Sequence, residues 1–164
     1  MRRHIISLLM ENEAGALSRV AGLFSARGYN IETLTVAPTN DPTLSRMTIV
    51  TSGTEAVIEQ INKQLNKLID VVTLVDLTEG VHIERELVMV KVMASEADCN
   101  TVRQVVAEHH ADVVDETDHA CVIELLGNSE KINAFISALE PFSILEVVRS
   151  GVSGIARGED ALRI

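Results

Sequence analysis

Residues 11–30, ENEAGALSRVAGLFSARGYN, decide how the rest of the chain is read. They follow the apolar run 4–10 and read as the end of a strand, a tight glycine turn, a helix and a second turn. Gly15 has no Cβ, so it can take a positive φ and let another molecule approach the backbone. From Ala16 a helical period begins, with Leu17, Val20, Ala21 and Phe24 on one face. Gly28 stands where a left-handed residue closes a helix. A glycine turn opening a helix points unpaired N–H groups and a positive dipole end outward, which suits a carboxylate or phosphate. An ordinary strand-to-helix turn has the same pattern, so this stretch alone leaves both readings open.

Outward from it, residues 30–37 (NIETLTVA) form a β-rich run ended by Pro38, which suits an edge strand. The turn TNDPT at 39–43 joins it to a strand over 44–51. A helix over 54–68, capped by Thr54, places Val57, Ile58, Ile61, Leu65 and Leu68 on one face. A strand over 71–77 completes the order β-α-β-β-α-β, the split βαβ plan of ferredoxin-like folds. The same order recurs in the second half: a strand over 86–94, a helix over 97–107, strands over 111–115 and 120–125, a helix capped by Ser129, and a strand over 143–148. The expected class is α+β, with two consecutive ferredoxin-like domains at 1–78 and 86–164 and a linker at 79–85. The glycine-rich tail after Val148 has no convincing period.

The 164 residues are 46% hydrophobic and 23% charged, which suits a folded core rather than disorder. Aromatic residues make up only 2%, so no stacking platform for single-stranded nucleic acid exists. The net charge is −10, with −2 through Gly80 (7 basic, 9 acidic) and −8 beyond it (7 basic, 15 acidic). Such a second half repels phosphate backbones and argues against nucleic acid as a partner. No run reads as a membrane span or a cleavable signal, so a cytoplasmic location with reduced Cys99 and Cys121 is expected.

Catalytic constellations are scarce. His4 is the only histidine before Gly80 and sits on a strand. Glu108, His109, His110, Asp112, Asp115, Asp118 and His119 form the one metal-like cluster, without HExxH or paired CxxC spacing. A solvated acidic turn explains it more simply. Arg19, Arg27 and Arg46 are candidate partners for an anionic ligand or a neighbour's carboxylates.

The pattern ENE-x-GALSRV-x-GLF-x-x-RGYNI, followed by the hairpin TVAPT–DPTLSRMTI, resembles the small, regulatory subunit of acetohydroxyacid (acetolactate) synthase. The likeness is dense over about the first 80 residues. It continues more loosely in HIERELV-x-VKV at 82–92 and in Val148, Arg149, Ser150 and Gly151. The resemblance implies that the first domain is an ACT domain, an amino-acid sensor that dimerises and binds valine at the dimer interface. It also implies a non-catalytic chain that activates a large catalytic subunit and confers feedback inhibition in branched-chain amino-acid biosynthesis. Thiamine diphosphate, Mg²⁺ and FAD would belong to that partner, with no cofactor in this chain.

Backbone chemistry and resemblance meet at one constellation. Asn12, Ala14, Gly15, Ala16 and Leu17 would offer N–H groups to the ligand carboxylate. Pairing the second strand with its symmetry mate would bring in Asn30 and Ile31 of the other copy. Asn30 would meet the ligand ammonium, and Ile31, Val36 and Leu17 would line an aliphatic pocket. Ala14 stands where the family also carries serine, which bears on ligand preference. The alternatives are an ACT-type sensor of another amino acid and a stand-alone enzyme built on His109 and His110.

Overall fold

The computed structural model describes residues 1–164, which divide into two compact units: 1–83 with 152–164, and 84–151. The first contains β1 (Arg2–Glu11), α1 (Ala16–Ala26), β2 (Thr33–Pro38), β3 (Leu44–Gly53), α2 (Glu55–Leu65) and β4 (Val71–Asp76). Its sheet has the order β2-β3-β1-β4, with β1 antiparallel to both neighbours, so β2 is an edge as the split βαβ plan requires. The second unit repeats the plan with β5 (His82–Met93, which begins in the first unit), α3 (Cys99–Glu108), β6 (Asp112–Glu116), β7 (Ala120–Gly127), α4 (Ser129–Leu139) and β8 (Ser143–Arg149). Its sheet order, β6-β7-β5-β8, is the same arrangement. Both ferredoxin-like layouts expected from the element order are present.

Alternation along the strands sets the layers. Ile6, Leu8 and Met10 of β1 and Met47 and Ile49 of β3 face Val20 and Phe24 of α1 and Ile58, Ile61 and Leu65 of α2. Each large aliphatic or aromatic side chain removed from water in this way stabilises the fold by about 1.5–3 kcal/mol. The second core follows the same logic with Val88, Val90, Val92, Ile123 and Leu125 against Val102, Ile132, Phe135 and Leu139.

Helix ends follow the local sequence. After α1, Gly28 takes φ 68°, the Gly28 N–H donates to Ser25 O (3.2 Å), and the Tyr29 N–H donates to Phe24 O (2.9 Å). This pair of bonds is the Schellman arrangement that a glycine in that position permits. The Thr54 hydroxyl accepts from the Val57 N–H and caps α2. For α4 the cap is Asn128, whose Oδ1 accepts from the Lys131 N–H (2.9 Å), not Ser129 as expected. Ser129 is the first helical residue instead.

The main departure from the sequence reading is the tail. Placed in the second domain (86–164) by its position, it returns to the first unit, with β9 at Ser153–Ala156. Of the expected linker at 79–85, Glu79 ends a 3₁₀ turn (Leu77–Glu79) and residues 82–85 already belong to β5. The physical reason is the uncovered face of the first sheet. Val152 packs there with Ile5, Val50 and Leu77. Strand hydroxyls serve the tail backbone: Thr35 Oγ1 donates to Val152 O (3.1 Å), and the Gly154 N–H donates to Thr48 Oγ1 (3.4 Å). Glycine suits 154, because a Cβ would stand 2.7 Å from Leu77 Cδ1 and 3.3 Å from Ile5 Cγ2 and would force these buried side chains to shift.

Two side-chain contacts, a hydrogen bond and an ion pair, tie β4 and its surroundings down. His4 Nδ1 lies 2.7 Å from Asp76 Oδ2, both buried, which makes His4 a structural residue. Arg19 on α1 grips Asp70 just before β4 with two bonds, Nε to Oδ2 at 2.5 Å and Nη2 to Oδ1 at 3.0 Å. The hydrogen bonds from Arg19 hold the Asp70 carboxyl below the ordinary carboxylate range, against the opposing effect of desolvation.

Two measurements check this account. Gly154→Val forces a branched side chain against buried Leu77 and should cost about 1–3 kcal/mol in urea unfolding; an unchanged midpoint would mean the tail does not seal this face. Because folding depresses the Asp70 pKa, its ion pair stabilises the fold at neutral pH. That contribution is lost as pH falls below the ordinary carboxylate value of about 3.9. The gap in urea midpoint between the parent and Asp70→Asn should therefore narrow from about pH 7 to about pH 3, and a constant gap would contradict the ion pair.

Candidate functional site

The turn between β1 and α1 is pinned from two sides. The Glu11 N–H donates to Asp70 O (2.8 Å), and the Asn12 N–H donates to Thr43 O (2.8 Å) in the β2–β3 hairpin. The Asn12 side-chain amide adds a bond to Pro42 O (2.9 Å). Held at both ends, the chain reverses through Gly15, whose φ of 86° and ψ of −12° lie in the left-handed region. A residue with a Cβ is strained there, which is why glycine occupies the position. The Ala16 N–H turns back to Glu13 O (3.3 Å), and the first helical bond runs from Arg19 N–H to Gly15 O (3.0 Å).

The N–H groups of Gly15, Leu17 and Ser18 are left without a partner in the chain, and no side chain caps the helix. The first turn of α1 carries no acidic residue, so its positive end is not neutralised from within. Residues 11–15 are all exposed. The arrangement suits a small carboxylate at the surface, with an interaction of roughly 0.3–1 kcal/mol from the helix dipole alone.

The structure sorts the expected site residues into two groups. Asn12, Ala14, Gly15 and Leu17 lie together at one end of the first unit, with Leu17 43% exposed. Ala16 belongs to the same turn, but its methyl group is buried in the core and its N–H is bonded to Glu13 O, as the Asn12 N–H is to Thr43 O, so neither offers the free N–H expected of it. Asn30 and Ile31 lie at the other end, in the approach to β2 rather than on it. There the Thr51 hydroxyl donates to Asn30 O (2.7 Å). Since Asn12 is bonded to Thr43 and Asn30 to Thr51, the two groups are separated by most of β3, roughly 25 Å of strand. Within one chain they do not meet.

Between the two ends runs β2. Leu34 and Val36 pair with Ile49 and Met47 and share their face of the sheet. Val36 is 39% exposed beside the free edge. The exposed Val36 and the unpaired backbone of β2 thus occur on one margin of the sheet, while the exposed Leu17 lies with the Gly15 turn at the end of the sheet where the β2–β3 hairpin reverses. Periodicity did not reveal the anchoring roles of Pro42, Thr43 and Asp70. Each acts through a contact at least 30 residues away in sequence. In the acidic region of the second unit, His109 packs its ring against Phe135 at 5.6 Å, and Arg103 pairs with Glu116 at 2.8 Å. Cys121 is buried and Cys99 opens α3.

Comparison with known proteins gives the margin its context. Residues 6–73 match the family model for the acetohydroxyacid synthase small subunit-like ACT domain, and residues 85–158 match the model for the small subunit of acetolactate synthase. The chain is 51% identical to the acetolactate synthase isozyme 3 small subunit of Salmonella typhimurium, over 98% of this chain and 99% of that one. It is 46% identical to the probable acetolactate synthase small subunit of Methanothermobacter thermautotrophicus, over 94% and 93%. Among solved structures, the acetolactate synthase small subunit of Thermotoga maritima superposes with a TM-score of 0.88 at 34% identity, covering 98% of this chain and 100% of that one. No helix is long and apolar enough to cross a membrane. With both halves matched and relatives aligned over nearly their whole length, the chain belongs to the acetolactate synthase small-subunit family, the non-catalytic, ACT-domain regulatory partners of a catalytic large subunit.

Proposed function

We propose that this chain senses valine at a site shared by two copies and passes the signal to the large subunit as feedback inhibition. It would also raise that subunit's activity. The observation that carries the reading is the left-handed Gly15 turn, which leaves the N–H groups of Gly15, Leu17 and Ser18 unpartnered at the end of a sheet whose edge strand β2 is open. Two copies pairing β2 to β2 around a two-fold axis run antiparallel. Each Gly15 end then comes opposite the partner's Asn30 end, uniting groups that one chain keeps apart.

In that arrangement the ligand carboxylate takes the N–H groups of the turn. The Asn30 amide oxygen receives the ammonium, and Leu17, Ile31 and Val36 enclose the aliphatic side chain. Asn12 holds the turn against the hairpin through Pro42. Ala14 contributes backbone only, and Ala16, its N–H spent on Glu13 O and its methyl group on the core, shapes the turn without touching the ligand. Thiamine diphosphate, Mg²⁺ and FAD are assigned to the large subunit, and the complex to the cytoplasm. Valine can shift control only by binding one state of the complex more tightly than another, typically by 1–3 kcal/mol.

Gly15→Asp tests the site. It places a negative charge where the ligand carboxylate would sit, and its Cβ would meet Arg19 Nη1 at 2.9 Å, so the guanidinium must shift by a few tenths of an ångström within its pair with Asp70. The backbone penalty is on the order of 1 kcal/mol, and Gly15→Ala isolates that part. The expected result for Gly15→Asp is a folded chain that co-purifies with the large subunit and no longer transmits valine inhibition, while Gly15→Ala keeps at least part of it. Normal inhibition in the Asp variant would show that valine binds elsewhere. A calorimetric panel of branched-chain and polar amino acids on the full chain separates valine sensing from sensing of a different amino acid. The chain free of large subunit, given thiamine diphosphate and Mg²⁺, should form no acetolactate; reproducible turnover would overturn the regulatory assignment.

A further inference from the structure

On the opposite face of the same sheet, Arg46 is a half-buried cation that no carboxylate neutralises. Its Nε donates to Ser7 Oγ (3.0 Å) and its Nη2 to Gly154 O (3.0 Å), which fixes the guanidinium plane. Both partners are neutral, and Nη1 has no acceptor in the chain. Burial alone acts on its titration, lowering the pKa from the usual arginine value, with no opposing attraction from an acid. Buried or half-buried charges are ordinarily paired, because removal from water is otherwise uncompensated. In a chain of net charge −10, a cation left in this state stands out.

Arg46 borders an open depression of about 390 Å³ between β2 and β9. Thr35, Thr39, Thr48 and Ser153 share its lining, and no Asp or Glu does. The Thr48 hydroxyl accepts from the Gly154 N–H and keeps its own proton to donate. The exposed Ser153 hydroxyl has no bond within the chain. One fixed guanidinium and two free hydroxyl donors around an acid-free hollow make an oxyanion receptor. Asp160 lines a neighbouring hollow that Arg46 also touches, but no ion pair joins the two.

We infer that Arg46, with Thr48 and Ser153, binds a small oxyanion, the phosphate or carboxylate group of a metabolite, at a site separate from the Gly15 turn. The two lie on opposite faces of the sheet, since Arg46 alternates with Met47, which faces α1 and α2. Binding would bridge β3 and β9, so an anion here would tighten the tail.

The test uses the full chain, with inorganic phosphate and acetate as probes against sodium chloride at matched ionic strength. Calorimetry and thermal unfolding should detect binding of at least one probe. Loss of a charge-assisted contact weakens binding roughly ten- to a hundred-fold, and Arg46→Gln should do so. Because Arg46 also holds Gly154, Ser153→Glu serves as a second variant. It leaves the Arg46 bonds intact and sets a negative charge at the rim, and it should abolish binding in a folded protein. Both variants and their parent are compared in the Gly15→Asp background, where the helix turn no longer takes an anion, so the binding read belongs to Arg46 and a failure of this inference stays distinct from a failure of the valine assignment. Binding retained in both Arg46→Gln and Ser153→Glu overturns the inference, as does an absence of binding by either probe. Should neither probe bind while Arg46→Gln loses the large subunit on co-purification, Arg46 meets a protein carboxylate instead, and the small-anion site is refuted.

Discussion

A four-stranded antiparallel sheet with both helices on one side has a second face to dispose of, and the first unit is shaped by that constraint. The face is mixed. Ile5, Val50 and Leu77 are apolar, whereas Ser7, Arg46 and Thr48 are polar and lie beside them in register. Water would solvate the second set but not the first. The tail answers both needs, because Val152 covers the apolar group while the backbone of Val152 and Gly154 bonds to Thr35, Arg46 and Thr48. Backbone groups brought under cover must be paired, and the hydroxyls of Thr33, Thr35 and Thr48 with the Arg46 guanidinium supply those partners. Gly154 is as much part of this seal as the apolar residues, since a side chain there would collide with Leu77 and Ile5.

Most of the element plan was legible because it rests on local signals. The short apolar run of β1 and the helical spacing of Val20, Phe24, Ile58, Ile61 and Leu65 each point the same way as the turns between them. Gly15 and Gly28 were legible for a sharper reason: each sits where the chain needs a positive φ. What escaped was non-local. The tail is a four-residue strand with glycine, too short to show a period, and its partner surface lies over a hundred residues earlier. Asn128 and Ser129 are adjacent residues of equal capping ability, and only the bond to Lys131 distinguishes them. Ala16 read as part of a ligand turn, yet it belongs to the buried stripe of α1. Arg19 and Asp70 are 51 residues apart, with no motif linking them.

The division of the candidate site has a bearing on how such a subunit could work. On the proposed reading, one copy holds the carboxylate end of the pocket and the other holds the ammonium end. Ligand affinity and self-association are then linked by mass action, each strengthening the other. The linkage needs no moving lid, only an edge strand that is left open in the single chain. The rigid pinning of the turn by Asp70, Thr43 and Pro42 serves the same end, because a preorganised anion receptor loses little entropy on binding.

The return of residues 152–164 to the first unit also fixes an order of events during synthesis. That unit is discontinuous along the chain, so vectorial folding cannot finish it before the intervening unit has been made. Until Val152 emerges, the nascent sheet carries Ile5, Val50 and Leu77 on a bare face. Such a surface invites chaperones or a second nascent chain. The residues between 84 and 151 form a compact unit of their own, with contacts that are shorter in range than the tail's, so they can fold while the first unit waits. A chain interrupted before Val152 would therefore hold its first sheet unsealed, with aliphatic surface left in water.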